Sequence, residues 1–296
     1  MTKPKTFSTA LFALLLAVRV LALDIYVATN GTGDGSSWAQ ATNSIAGAVQ
    51  YLVDWEGGYG GVNISNGVYA NVKINDNYFG SLKGISGLPD DVVLDGGGTN
   101  RFFESVKQLV SGITFSNSLG LDIFCGQIKD CVIVASSAPV SGGVLQGDGG
   151  EAYNCLLVMN EATNESSAIA TGLSIYNSTV ADNTGKIDSC ALINCISSGN
   201  TEEDSNLTES YSCGAGYTGT GSITSDPLFV GSGDYRLQAG SPCINAGTNS
   251  TWTLTTDTDL DGNKRRWPAN GQADMGAYEF GSQPEYLKKV FLMKSN

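Results

Sequence analysis

Histidine is absent from this chain of 296 residues. Without an imidazole there is no Ser-His-Asp or Cys-His nucleophile, no His-ligated zinc and no His general base. Basic residues are scarce too, 16 Lys plus Arg against 29 Asp plus Glu, for a formal charge of −13 and a pI near 4.3. Nucleic-acid affinity comes largely from neutralising phosphates with Lys and Arg, so a nucleic-acid partner is excluded as an expectation. Charged residues of all kinds make up only 15% and Pro only 7 positions, while Gly reaches 38. A chain short of Glu, Lys and Arg but rich in Gly, Ser, Thr and Asn suits short strands joined by tight turns better than long surface helices.

The N-terminus has the pattern of an export signal. Lys3 and Lys5 precede an apolar run from Ala10 to Val18, and Val20-Leu21-Ala22 offers a cleavage site. Residues 1–22 are therefore expected to be removed, leaving 29 acidic against 13 basic residues over 274. Nine apolar residues are too few to cross about 30 Å of hydrocarbon, so no membrane span is expected after removal. The expected location is secreted, extracellular or on the outer cell surface. Export permits disulfides, and with 7 Cys at least one thiol stays unpaired within the chain.

One helix is predicted. Ile45, Ala48, Val49, Leu52 and Val53 lie on one helical face, with Asn43 or Ser44 as N-cap and Gly57-Gly58 beyond the last turn. Beyond it the sequence repeats. A polar–small dyad followed by apolar residues occurs at Asp130-Cys131, Asn154-Cys155, Asn177-Ser178 and Asn194-Cys195, with a weaker relative at Ser111-Gly112. The intervals are 19, 24, 23 and 17 residues, the length of a solenoid turn. The fold class expected is an all-β, right-handed, single-stranded parallel β-helix with an N-terminal capping helix. Cys131, Cys155, Ser178 and Cys195 would stack at one inward corner, with Asp130, Asn154, Asn177 and Asn194 as a polar ladder beside them. A β-sandwich or jelly roll competes, but gives no reason for one dyad to recur in one register. The expected divisions are 23–60 for an N-terminal strand and capping helix, 61–225 for the coils and 226–296 for a closing segment and tail.

Both ends carry longer motifs. At the N-terminus these are Ile25-Tyr26-Val27, Gly31 to Gly35, Ser37-Trp38-Ala39, Ala41, Ser44-Ile45 and Ala48. At the C-terminus they are Asp226-Pro227-Leu228-Phe229, Asp234-Tyr235-Arg236-Leu237, Gly240 to Gly247, Asp259-Leu260-Asp261-Gly262 and Asp274 to Glu279. With the coils between them, they resemble exported bacterial right-handed parallel β-helix repeat proteins of the choice-of-anchor type, in the pectate-lyase-like superfamily. The resemblance implies the fold more than an activity.

The candidate sites are few. Asp257, Asp259 and Asp261 stand at alternate positions ahead of Gly262, like the start of a calcium loop, though Pro268 occupies the closing position. Calcium is the one cofactor suggested; the alternative is a set of acids held by Arg265 and Arg266. Cys213 and Cys243 are expected either as a disulfide stapling the closing segment or as small buried thiols, and Cys131 with Cys155 is a second candidate pair. A lyase acting on uronic acid polymers by β-elimination would need a base from Lys73, Lys83, Arg101, Lys107, Lys129 or Lys186. A hydrolase would need a pair among Asp91, Asp95, Asp122, Asp130, Asp148 and Glu151. Tyr51, Trp55, Tyr59, Tyr69, Tyr78 and Phe79 would be sugar platforms if exposed and core or cap residues otherwise. No catalytic residue is assigned. The expected function is a non-catalytic solenoid that contacts a polysaccharide or cell-surface glycan, or serves in adhesion. The alternative is a calcium-dependent polysaccharide lyase.

Overall fold

The structure is a computed structural model; it describes residues 23–54, 60–74, 80–103, 109–123, 126–138, 142–162, 164, 166–250, 258–266, 268 and 270–281. The expected signal at 1–22 and the tail beyond 281 lie outside the described residues.

The coils are those of a right-handed parallel β-helix. One wall is a ladder of parallel strands in the order Leu23–Val27, Gly60–Ile64, Ser81–Gly84, Leu109–Ser111, Gln127–Lys129, Gly142–Tyr153, Ser167–Tyr176, Ala191–Ile193 and Thr208–Ser210. A second wall runs Gly67–Tyr69, Val92–Asp95, Thr114–Ser116, Val132–Val134, Leu156–Val158, Thr179–Ala181 and Ile196–Ser198. Every pairing within both walls is parallel. Each rung buries alternate side chains, so Val62, Leu82, Val110, Ile128, Ala152, Ile175 and Leu192 form one continuous apolar column. No single coil closes such a core; stacking does. Among the described residues no helix is long and apolar enough to cross a membrane.

The repeated dyad is the corner between the two walls. Asp130, Asn154, Asn177 and Asn194 all take left-handed backbone angles, φ 49 to 55°, which Asn and Asp tolerate better than other side-chain-bearing residues. Gly112 fills the same corner at φ 65°, and a Cβ there would stand 2.9 Å from Gly87 Cα. The small member, Cys131, Cys155, Ser178 or Cys195, then points inward and is fully buried. The ladder forms as expected at its ends: Asn154 donates to Asp130 at 2.6 Å and Asn194 to Asn177 at 3.0 Å.

A second ladder lies at the next corner. Asn183 Oδ1 accepts from both the backbone N–H and the side-chain amide of Asn160 at 2.9 and 3.1 Å. Asn200 does the same for Asn183 at 3.2 and 2.9 Å, and Asn160 Oδ1 takes the Ser136 N–H at 3.0 Å. The amides of Asn160 and Asn183 also donate to the carbonyls of Ile133 and Leu157 on the preceding rungs. Buried corner groups are thus satisfied from coil to coil.

The predicted helix, α1 (Ile45–Asp54), buries Ile45, Ala48, Val49 and Leu52 and starts with Ser44 Oγ accepting the Gly47 N–H at 2.9 Å. It packs against the first two rungs. Coiling begins at Leu23–Val27, already in register with Gly60–Ile64, so the helix is inserted between rungs one and two. At the other end Tyr217 is buried over the last coil and donates to Asp204 at 2.7 Å.

From Asp226 the chain turns back and lies along the outside of the second wall as a strap. Tyr235, Leu260 and Ala277 pack on Leu156, Val158 and Ala181; Leu237, Cys243 and Met275 pack on Ile196 and Cys213. Arg265 fastens it. Only 1% exposed, it donates to the carbonyls of Gly276, Ala277 and Asn177, to the Asn154 side chain and to Glu279. It enters the corner ladder between Asn154 and Asn177, on two of the coils the strap crosses.

Candidate functional site

The outward positions of the first wall form an ordered side-chain array. The residue immediately before each corner faces outward, giving the register column Tyr26, Asn63, Lys83, Ser111, Lys129, Tyr153, Tyr176, Ile193 and Ser210. The neighbouring outward column includes Ser81, Gln127, Glu151 and Ser174. Lys83 and Lys129 lie two rungs apart, about 10 Å at ~4.8 Å per rung. Next to them the rings of Tyr153 and Tyr176 stack with centroids 4.7 Å apart at 12°. Because these faces are used on each other, and Tyr153 is only 7% exposed, the pair offers rims and hydroxyls rather than a flat platform. Burial and the Glu151 carboxylate hold the Tyr153 phenol above its usual range, so it stays a donor. Glu151 accepts from Gln127 at 2.7 Å, and Lys129 lies 3.8 Å from Asp130.

The acids expected for hydrolysis do not pair across adjacent rungs where they are described. Glu151 has Gln127 and Ser174 above and below it; Asp95 has Ser116, and caps Gly97 and Asn117. Asp130 belongs to the corner ladder, where burial raises its carboxyl against the pull of Asn154 and Lys129. Lys107 and the Asp122 side chain lie outside the described residues.

Asp259 and Asp261 are both occupied by protein donors. Asp259 accepts the N–H groups of Asp261, Asn263 and Glu279 and the Asn263 amide; Asp261 takes the fork of Arg236 at 2.7 Å on each oxygen. Asp257 lies outside the described residues, and among the described residues no three Asp, Glu or Cys side chains converge as a metal site. Asp274 and Glu279 are in the closure, with Asp274 accepting from Asn245 and Phe280. Burial raises Asp259, Asp274 and Glu279, the last to about 9, because one Arg265 cannot offset three desolvated carboxylates.

Cys213 and Cys243 come together in one apolar cluster as two free thiols. Cys131 and Cys155 occupy adjacent rungs, but each thiol donates within the core to the backbone, to Lys129 O and Tyr153 O. Of the aromatic candidates, Tyr69 is buried and donates to Ser65 O at 3.0 Å, while Tyr51 is exposed on α1. Trp55, Tyr59, Tyr78 and Phe79 lie outside the described residues. The Tyr153–Tyr176 stack was not singled out in the sequence, although its signal was there: each Tyr directly precedes a dyad Asn.

No protein-family model matches the chain, and no curated protein matches it either. Among solved structures, one similar to this chain is "pectate lyase Pel9A", at 12% identity over 86% of this chain and 96% of that one, with a TM-score of 0.34. Likeness at that level carries nothing about chemistry.

Proposed function

We propose that this is an exported solenoid of the outer cell surface or surroundings that holds a glycan along the first wall without transforming it. The observation behind the reading is the outward column Asn63, Lys83, Ser111, Lys129, Tyr153 and Tyr176. It places amide, hydroxyl and ammonium groups at a regular rung interval, comparable to the rise of one sugar along an extended chain. Lys83 and Lys129 in line offer two ammonium groups to the carboxylates of a glycan, a local attraction that acts against the net charge of −13. The absence of stacked acid pairs at the described candidate positions supports binding over hydrolysis. The N-terminal Lys3, Lys5 and apolar run from Ala10 to Val18, and the resemblance of the terminal motifs to choice-of-anchor β-helix proteins, favour export and surface placement.

The test is binding of the full chain to alginate and pectin, with and without K83A/K129A, while ultraviolet absorbance follows unsaturated products. Retention on the polymer that falls at least tenfold in the double variant supports the reading. Unsaturated product overturns it in favour of the lyase, and product that vanishes with a chelator would make that lyase dependent on a divalent cation.

A further inference from the structure

The thiols fall into two groups by what surrounds them. Cys131, Cys155 and Cys195 project into the solenoid core, and each donates to a backbone carbonyl of its own coil. Burial raises the thiols of Cys155 and Cys195 to about 12, leaving them poor nucleophiles. Cys213 and Cys243 lie outside that core, in the separate cluster beneath the strap. Cys213 sits on the last rung, held by single parallel bridges to Ile196 and Ile223. Cys243 arrives from the strap, after Pro242, with its carbonyl accepting the Met275 N–H at 3.0 Å. The two meet in one buried apolar cluster with Ile196, Leu237 and Met275, the Cys213 thiol donating to Ser225 O at 3.1 Å. Cys213, 1% exposed, lines the floor of a cleft of about 280 Å³ bounded by Ser197, Asn200, Thr224, Ser225 and Asp226.

We propose that Cys213 and Cys243 close a disulfide when the chain meets a disulfide oxidant outside the reducing cytoplasm, covalently locking the strap onto the last coil. The Cys213 thiolate attacks one sulfur of the oxidant, forming a mixed disulfide and releasing one thiol. Cys243, deprotonated in turn, attacks the Cys213 sulfur, forms the protein disulfide and releases the second thiol. Two protein thiols and one oxidant disulfide thus become one protein disulfide and two small thiols. Cys213 acts first because it lines the cleft, whereas Cys243 is wholly buried and does not. The closed loop spans 30 residues, and its restraint on the unfolded chain raises the thermal midpoint by roughly 5–10 °C.

Purified reduced full-length chain is incubated with oxidised glutathione, the remaining thiols are alkylated, and peptides are mapped by mass spectrometry without reduction. A Cys213–Cys243 cross-linked peptide, a mass loss of two hydrogens and a midpoint that rises on oxidation and falls back with dithiothreitol are expected. Recovery of both cysteines as alkylated thiols, or cross-linking of Cys131 to Cys155 instead, overturns the proposal. C213S and C243S should lose the oxidant-dependent rise; if either fails to fold, the peptide map of the parent chain decides alone.

Discussion

Replacing Arg265 by Met removes the buried charged fastening between the strap and the corner ladder, leaving the bonds of Thr248 and Gly276 to Asn194 and of Thr258 to Asn154 in place. The side chain is 1% exposed and donates to four uncharged oxygens, those of Gly276, Ala277, Asn177 and the Asn154 amide, besides Glu279. Methionine keeps much of the volume but none of the donors. Leaving four buried acceptors without a donor costs about 1 kcal/mol each at the low end, so about 4 kcal/mol in all, within the range for breaking a buried ion pair from one side. Glu279, already shifted towards its neutral form, limits the further charge penalty. Because the lost contacts lie either within the strap, at Gly276, Ala277 and Glu279, or between strap and coils, at Asn154 and Asn177, the damage is local: residues 226–281 should become cleavable by protease while far-ultraviolet circular dichroism keeps its β signature. R265K, with a point charge in place of a planar fork, should fall between parent and R265M. Urea denaturation with limited proteolysis reads both effects. A free-energy loss under ~0.5 kcal/mol with an unchanged cleavage pattern would refute Arg265 as a fastening.

Three further outcomes are expected. N183L removes the acceptor of the Asn160 N–H and the donor to Leu157 O inside the core, and should lower urea stability by roughly 2–4 kcal/mol; a loss below ~1 kcal/mol would show that the second ladder is not structural. Met159 is 55% exposed at φ 53°, so M159N relieves left-handed backbone strain without disturbing packing and should raise stability by about 0.5–1 kcal/mol, with no gain or a loss in thermal melts counting against the strain argument. The carboxyl of Glu279 is raised by burial from 4.5 to about 9, so its contribution is complete below pH 4.5 and is lost as pH rises through 9. Urea stability should therefore decline from pH 5 to 9, and E279Q should flatten that decline; a parent protein that gains stability over this interval contradicts the burial argument.

The corner dyad was legible because it solves a local problem that recurs. A chain that turns between two walls needs a residue tolerant of left-handed φ followed by one small enough to point inward, and Asn-Cys or Asn-Ser meets both needs. Helix α1 was legible for the same kind of reason, in apolar spacing and a capping Ser44. The second ladder was not. Asn160, Asn183 and Asn200 sit among unlike neighbours, and only register shows that each accepts from the rung before it. Asp259 and Asp261 resembled ligands because alternate carboxylates before a Gly suit a cation loop; in the fold, Asp259 takes its own loop's N–H groups and Asp261 takes Arg236, 25 residues upstream.

Composition, missing histidine and periodic corner residues determined by themselves that this chain coils, that its core is stacked and that imidazole chemistry is closed to it, since each follows from residue type and near-neighbour geometry. Which side chains share a column, how the strap returns over the second wall, and that Arg265 reaches coils 88 and 111 residues earlier were decided only by tertiary structure. Contacts so distant in sequence leave no periodic trace, because register and chain reversal set them, not the residues on either side.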